Sequence, residues 1–288
     1  MRLSTSTNIY FNRPDGTKAD IRSSIALCAQ AGYRVMDMNF HDCTTFHMPF
    51  VGSQWRQWIE EIRAAAYIHQ VEFSQGHAPF YNFCDPNYDK REWHDRMIYR
   101  AVDCAGILGI SWLVIHAGTD FDAADSFTKS KLVNREYLLP LLEYAERQGV
   151  GIAVENLWDL NIAPLKRYTA SAEELVDLVD SLGAPNVGIC FDVEHATIMR
   201  QNVQAQLRLI GNRLKATHVS DVINVDSDHL LPFFGRTDWP SFMAALKEIG
   251  YQGDFTYEIH RYTASMPDAL IPAALAYSVE VGQYLLSL

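Results

Sequence analysis

Four short apolar runs in the second half of the chain each end on a side chain that can bind a metal ion. The runs are GIAVE, VGICFD, LKATH and DFTYE, and they end at Glu155, Asp192, His218 and Glu258. An apolar run that closes on a charged or imidazole group is typical of a buried parallel strand whose last residue turns into a site. A buried carboxylate is costly unless it is paired or binds a cation, so the four endings predict one divalent metal site. Four separate buried salt bridges are the alternative, but basic residues are scarce near these positions.

A site of two Glu, one Asp and one His leaves coordination positions open, as a catalytic metal requires. Mn²⁺ or Zn²⁺ is the expected ion, and Co²⁺ or Mg²⁺ also fits such a mixed oxygen and nitrogen set.

Four further histidines end predicted strands or lie in the segments that follow them, and we predict that they bind substrate or support the ligands. They are His77, His116, His195 and His229. A single histidine of this kind is more often a packing residue, but four on one face favour a common site, with a second metal as the alternative role. Among the loop aromatics, Phe80 and Trp158 each closely follow a site strand, so we predict that they line a sugar pocket. His41 and His260 show no comparable grouping and receive no role.

These side chains must be positioned by alternating strands and helices. The predicted strands lie near Arg2–Thr5, Arg34–Asn39, Glu72–His77, Trp112–His116, Gly151–Glu155, Val187–Asp192, Leu214–Val219 and Asp254–Glu258. The predicted helices are Ile21–Ala31, Gln54–His69, Tyr88–Leu108, Arg135–Arg147, Ala172–Leu182, Trp239–Ile249 and Asp268–Leu286. Glycines follow most of these helices, and Ser171 with Glu174 forms a capping box. The pattern predicts an α/β fold, a (β/α)8 TIM barrel, as a single domain over residues 1–288. A doubly wound sheet is the alternative, but no Gly-rich phosphate turn follows the first strand.

The overall composition limits the partners and the compartment. The formal net charge is −11 and the basic residues are dispersed, so we expect a small-molecule sugar substrate and no nucleic acid. We find no signal peptide and no long apolar segment, so no membrane partner is expected. The five cysteines are scattered without CxxC pairs, which indicates a reducing, cytoplasmic location. A homo-oligomer is left open.

Several motifs together resemble the sugar phosphate isomerase/epimerase family, part of the xylose isomerase-like TIM-barrel superfamily that also contains endonuclease IV. The motifs are IHAG, AVEN, VGICFDVEHA, ATHVSD, DHLLPFFGRTDW and GDFTYEIH, in that order along the chain. The resemblance runs from about the third strand to the C-terminus and is specific for the superfamily, not for one substrate.

The resemblance implies a role for each strand-end residue. Glu155, Asp192, His218 and Glu258 would be the metal ligands, and His195 would touch a substrate oxygen. Glu155 and Glu258 would also be the acid/base pair, moving a proton next to a carbonyl through a metal-stabilised enediolate. Where the resembled ketose 3-epimerases carry a further Glu and an Arg, this chain has Asn161 and, near the second place, Asn224.

Two other functions stay open. Endonuclease IV has a trinuclear zinc cluster, and this chain matches many of its ligands in order (His77, His116, Glu155, Asp192, His195, His218, His229 and Glu258), but Ser227 replaces one Asp. A multinuclear zinc phosphodiesterase is therefore the first alternative, although the acidic surface disfavours DNA. A non-catalytic sugar-binding barrel is the second, and the two glutamates disfavour it.

Overall fold

The computed structural model describes residues 1–45, 48–159 and 167–288. The strands are β1 Leu3–Ser6, β2 Val35–Asn39, β3 Glu72–His77, β4 Trp112–His116, β5 Gly151–Glu155, β6 Val187–Asp192, β7 Leu214–His218 and β8 Phe255–Tyr257. The helices are α1 Ile21–Ala31, α2 Phe40–Thr45, α3 Trp55–His69, α4 Arg91–Leu108, α5 Ser126–Arg147, α6 Ala172–Leu182, α7 Val193–Ile198, α8 Val203–Ile210, α9 Trp239–Glu248, α10 His260–Ala264 and α11 Ile271–Ser287.

The eight strands form one parallel sheet that is nearly closed into a barrel. Their order is β7-β6-β5-β4-β3-β2-β1-β8, so neighbours along the chain are neighbours in the sheet. A parallel bridge between Val219 and Tyr257 joins the two ends. There the Val219 amide donates to the Thr256 carbonyl at 2.8 Å, and the Glu258 amide donates to the Val219 carbonyl at 3.0 Å. This confirms the (β/α)8 barrel, and the predicted strand ends agree with the observed ones to within one residue.

Strand alternation explains why the last residues of the strands point into the barrel. Ala153, Cys190 and Ala216 belong to a small cluster of buried side chains that is separate from the main core. Their neighbours Ile152 and Ile189 belong to the main core, beneath the helices. Successive side chains in a strand face opposite sides, so the residues two positions after the first set point inward with it. Those residues are Glu155, Asp192 and His218.

The helix ends carry the capping residues that the sequence predicts. The caps of α1, α4 and α6 are Gly32, Gly109 and Gly183, all in the left-handed conformation that glycine adopts without strain. At the start of α6 the Ser171 hydroxyl accepts the Glu174 amide at 3.5 Å, as the capping box predicts.

The helix prediction was wrong in two respects. Four short helices (α2, α7, α8 and α10) had no counterpart, because five to eight residues give too little helical period to recognise. Helix α5 begins at Ser126, with Asp125 as its cap, and not at Arg135. Helix α4 begins at Arg91 and not at Tyr88.

The C-terminal segment Asp268–Ser287 is long and apolar enough to cross a membrane by length and composition alone. In the barrel, α11 packs against α1 and β1. Its side chains Ile271, Leu275 and Leu285 are buried there, as expected of a helix in the outer ring.

Candidate functional site

The barrel brings the four strand-end ligand candidates together. Glu155, Asp192, His218 and Glu258 are all buried, and one ligand atom from each lies within 4.8 Å of the others. Glu155 ends β5, Asp192 ends β6 and His218 ends β7, while Glu258 follows β8 directly. The arrangement follows from topology, since the carboxyl ends of all strands in a parallel barrel open on one face.

Glu155 is the centre of this cluster. Its Oε1 lies 3.0 Å from Nδ1 of His218. Its Oε2 lies 3.1 Å from Nε2 of His116 and 3.4 Å from Nε2 of His77. One buried carboxylate is therefore surrounded by three imidazoles from β3, β4 and β7, and those whose pKa is raised, His218 and His77, supply positive charge that offsets its burial.

The two carboxylate oxygens of Asp192 differ in their contacts. Oδ1 caps α7 by accepting the His195 amide at 2.8 Å, which fixes His195 at the start of that helix. The main chain of Asp192 is paired with the Asn156 side chain, whose Nδ2 donates to the Asp192 carbonyl and whose Oδ1 accepts the Asp192 amide. Oδ2 makes no hydrogen bond with the described residues.

The imidazole of His195 is turned toward the site by the same segment. Its Nδ1 lies 2.7 Å from the Asn156 carbonyl and 3.6 Å from Oε1 of Glu155. Asn156 therefore orients both a ligand candidate and a histidine beside it, which gives the second residue of the AVEN motif a positioning role.

His229 is held in a strained backbone conformation at the edge of the site, with φ +49°. Its amide donates to Oε2 of Glu194 at 2.6 Å, and its Nδ1 lies 3.0 Å from the Glu258 carbonyl. Its Nε2 lies 3.8 Å from Oε1 of Glu194. Both ring nitrogens thus face protein oxygens.

Burial and charge act in opposite directions on the two glutamates. Burial raises the pKa of Glu155, but His218 and His116 outweigh it and leave that pKa well below its usual range. Burial likewise raises the pKa of Glu258, while His218 and His229 lower it to about 2 overall. Both glutamates are therefore ionised at neutral pH.

The pKa values of the histidines are shifted by the same burial and the same neighbouring charges. Burial lowers the pKa of His218, but Cys190, Glu258 and Glu155 raise it well above the usual value. For His116, burial dominates and its pKa is lowered. The site therefore holds a protonated His218 beside a neutral His116 when no metal compensates the carboxylates.

The cluster opens into a cavity of about 430 Å³ on the carboxyl face of the barrel, which we call the sugar cavity. The predicted residues that line it are His77, Phe80, His116, Glu155, Trp158, His195, His229 and Glu258. Asp192 and His218 lie behind them, in the ligand cluster. The structure therefore gathers every predicted site residue into one place.

Several cavity residues had no role in the sequence prediction. They are Asn8, Asn12, Asn39, His41, Asp42, Arg167 and His260. The sequence prediction assigned no role to His41 and His260, but both of them line this cavity. The proximity of His41 and Asp42 to the end of β2 was the available signal, but α2 was not recognised. Asn8 lies in the short 3-10 helix Thr7–Tyr10 directly after β1, and Asn12 follows it; neither segment is long enough to show a periodicity.

The donor set fits a divalent metal ion. Oδ2 of Asp192 is a buried atom without a hydrogen bond among the described residues, and Oε2 of Glu155 has the imidazole nitrogens of His116 and His77 beside it but outside hydrogen-bond geometry. Unsatisfied buried carboxylate oxygens are costly, and a bound cation would satisfy both. Two glutamates, one aspartate and one imidazole are ligands that Mn²⁺ and Zn²⁺ accept.

A second cluster lies beside the first. Ligand atoms of Glu194, Asp228 and His229 lie within 4.8 Å of one another. Asp228 is already neutralised by Nε of Arg261 at 2.7 Å. Burial raises the pKa of Glu194 to about 7 despite the opposing effect of His229. The charge available for a second cation is therefore smaller than at the first cluster.

The two departures from the ketose 3-epimerase pattern have different outcomes. Asn161 lies outside the described residues. Asn224 is exposed in a turn, where its Oδ1 accepts the Asp226 amide at 2.9 Å, and it does not line the sugar cavity.

Comparison with known proteins agrees with the fold. The family model described as xylose isomerase-like TIM barrel matches residues 25–280. The chain is 28% identical over 137 residues to an inosose isomerase of Bacillus velezensis, an alignment that spans about half of each protein (46% of this chain and 47% of the isomerase). Its fold is similar to D-psicose 3-epimerase from Clostridium cellulolyticum H10, solved with D-tagatose (TM-score 0.77, 17% identity, 99% of both chains). It is also similar to the IOLI protein, solved with a zinc atom (TM-score 0.80, 17% identity, 100% of this chain and 98% of that one).

Proposed function

The chain belongs to the xylose isomerase-like TIM barrel family, and from this membership we propose that it is a divalent-metal-dependent isomerase or epimerase of a small sugar or polyol derivative. The observation that carries the proposal is the placement of two ionised glutamates in one ligand cluster. His218 Nδ1 lies 3.0 Å from Oε1 of Glu155 and 3.5 Å from Oε2 of Glu258.

The named relatives support this reaction class. An inosose isomerase and a D-psicose 3-epimerase both act, by their names, on polyhydroxylated compounds. Isomerisation and epimerisation next to a carbonyl share one demand, the removal and return of a proton on carbon. Two carboxylates on different strands are suited to that demand.

Glu155, Asp192, His218 and Glu258 would hold the metal, which when bound would polarise the substrate carbonyl and make the neighbouring C–H more acidic. The carboxylate of one glutamate removes the proton from the carbon and later releases it to solvent. The other glutamate first takes a proton from solvent and then returns it to that carbon or to its neighbour. Both carboxylates are ionised at neutral pH, the state that a base requires.

The other predicted residues bind and orient the sugar. His77, His116, His195 and His229 present imidazoles to the sugar cavity, and Phe80 and Trp158 supply apolar walls. Ring faces suit the C–H faces of sugars, while imidazoles suit their hydroxyls.

A panel of ketoses and inososes incubated with the Mn²⁺-loaded or Zn²⁺-loaded protein tests this function. We expect at least one sugar to be converted to an isomer or epimer, followed by NMR of the sugar carbons. No conversion of any ketose or inosose with either metal would contradict the proposal.

A multinuclear zinc phosphodiesterase is the alternative, and the second cluster of Glu194, Asp228 and His229 favours it. Metal content separates the two: the isomerase requires about one ion per chain, whereas the phosphodiesterase requires about three. A non-catalytic sugar-binding barrel would bind ligand but exchange no protons.

We further propose that residues 1–288 act as a single cytoplasmic domain without a nucleic acid or membrane partner.

A further inference from the structure

A second cavity of about 350 Å³ opens beside the sugar cavity. We call it the aromatic annex, and its walls include Phe80, Tyr81, Tyr88, Phe121 and Leu157. Phe80, His116, Leu157 and Arg167 line both cavities, so the two form one continuous cleft. The sugar cavity alone is large enough for a small ligand, so a free monosaccharide leaves the annex unused.

The rings of the annex are fixed in place. Phe80 is stacked between His41, with ring centroids 3.9 Å apart, and His116, at 4.2 Å. Tyr81 is stacked with Tyr88 at 5.0 Å. Because stacking already holds these rings, the ring edges and uncovered faces that remain can bind an apolar group without the cost of ordering their side chains.

The polar groups of the annex are already occupied. The Tyr81 hydroxyl donates to Asp95, and the Tyr88 hydroxyl bonds to Nδ1 of His94 at 3.0 Å, so both residues offer rings and not hydroxyls.

The amide of the annex is occupied in the same way. Oδ1 of Asn82 accepts the Thr119 amide and its Nδ2 donates to the Thr119 carbonyl, both at 2.9 Å. A second sugar ring needs partners for its hydroxyls, and this wall offers few. An apolar ring needs none.

Arg167 adds a cation at the junction of the two cavities. It is exposed, and within residues 1–45, 48–159 and 167–288 its guanidinium makes no ion pair or side-chain hydrogen bond. A planar guanidinium stacks on aromatic rings and pairs with acidic substituents.

We propose that the substrate is a glycoside whose sugar occupies the sugar cavity and whose aromatic aglycone occupies the aromatic annex. His116 lies between the two places, because its Nε2 is 3.1 Å from Oε2 of Glu155 while its ring also lines the annex. A single glycosidic oxygen joins a sugar to its aglycone, so the two groups occupy adjoining places that share His116 as a wall. The anomeric carbon of such a glycoside is locked, so the carbonyl that acidifies the C–H lies elsewhere on the ring, and the substrate is a keto-glycoside.

The test compares matched 4-nitrophenyl and methyl keto-glycosides derived from glucose, galactose and xylose, titrated calorimetrically into the full-length Mn²⁺-loaded protein. For at least one sugar we expect the aryl glycoside to bind at least about tenfold more tightly than the methyl glycoside. A smaller ratio for every sugar, or no binding of any aryl glycoside, overturns the proposal.

Two variants locate the preference. Tyr88→Ala removes a ring that lines the annex alone, and we expect the ratio of aryl to methyl affinity to fall to near one. Tyr88→Phe keeps the ring and should keep the ratio. If Tyr88→Ala does not fold, the ratio of aryl to methyl affinity is measured in Phe121→Ala instead. A ratio that neither alanine variant lowers overturns the placement of the aglycone.

The proposed substrate class rests on the proposed function, but different experimental results would contradict each of them. Isomer formation from free ketoses without an aryl preference would leave the function standing and remove the annex subsite. An aryl preference that Tyr88→Ala abolishes, with no conversion of any ketose or keto-glycoside, would remove the function and leave the subsite.

Discussion

At the scale of single residues, each of the two glutamates has two proposed roles, metal ligand and acid/base group. Glu155 and Glu258 belong to the ligand cluster and are also the residues proposed to move protons. The same imidazoles that offset their burial keep them ionised, so charge balance and reactivity come from one set of contacts.

We predict that Glu155→Gln and Glu258→Gln each lower turnover of an identified substrate by about 10²- to 10⁴-fold, the range for loss of an acid/base group. Glutamine keeps the shape of the side chain but cannot accept a proton from carbon. Steady-state rates measure the effect, and metal content of each variant shows how much comes from lost metal. The exposed Glu143→Gln is the matched control and should keep the wild-type rate; full turnover by Glu258→Gln would make the assignment wrong.

Protonation of His218 predicts the pH dependence of metal binding. In the metal-free protein its pKa is well above the usual value, so at neutral pH the ring carries a proton that a metal must displace. Affinity for Mn²⁺ or Zn²⁺ should therefore rise with pH, with release of about one proton per ion. Calorimetry in buffers of different ionisation enthalpy measures that release. Metal affinity that does not change between mildly acidic and mildly alkaline pH would contradict this role of His218.

Sequence was sufficient for the strand-end residues and insufficient for their surroundings. Glu155, Asp192 and His218 could be predicted because a period of two fixes which side of a strand they face. Glu194 could not, because its contact with His229 joins α7 to a loop after β7, and nothing local to either segment indicates it. Asn8 and Arg167 were missed for the same reason.

At the scale of elements, the loop after β7 is organised by one buried carboxylate. Oδ1 of Asp221 accepts the amides of Val222 and Thr237. Its Oδ2 accepts the amides of Phe233 and Gly235 and Nε1 of Trp239. A Cβ on Gly235 would lie 2.5 Å from the Val222 carbonyl, so the loop also depends on that glycine. The last residue of the HVSD motif thus holds the loop that carries His229.

We predict that Asp221→Asn lowers the free energy of unfolding by about 3 kcal/mol, because an amide nitrogen would face N–H donors in a buried site. Urea denaturation followed by circular dichroism measures the change. Asp226→Asn, in the same loop but exposed, is the control and should change stability by less than about 0.5 kcal/mol. Equal stability of the two variants would contradict the organising role of Asp221.

The limits of element prediction have a physical cause. The strands were found because each is a buried apolar run, and α1 and α6 because each spans several turns with a glycine cap. Helix α7 was missed because it begins directly at the strand-end residue Asp192, so that its first turn looks like a loop. That short helix is what positions His195.

At the scale of the whole molecule, the net charge of −11 limits what can approach the sugar cavity. Binding of duplex DNA needs basic groups that release counterions from the phosphate backbone. We predict no retention of abasic-site duplex DNA at about 50 mM salt in a mobility-shift assay, a condition that favours electrostatic binding. Retention with strand cleavage would favour the phosphodiesterase instead.

The barrel as a whole was predictable because each βα unit repeats the same pattern, and closure between β8 and its neighbours follows from that repetition. The cleft formed by the sugar cavity and the aromatic annex was not, since its walls come from loops of several units. The oligomeric state, which the sequence leaves open, is measured by light scattering of the purified protein.

Proton transfer on carbon is the central claim, and solvent exchange measures it most directly. The metal-loaded protein is incubated in D₂O with the ketose and inosose panel, and deuterium on the carbon next to the carbonyl is followed by NMR. We predict incorporation into at least one substrate by the wild-type protein, strong loss of it in Glu258→Gln, and none in the metal-stripped protein. Conversion of a substrate without any deuterium incorporation, or wild-type incorporation by Glu258→Gln, would contradict the account.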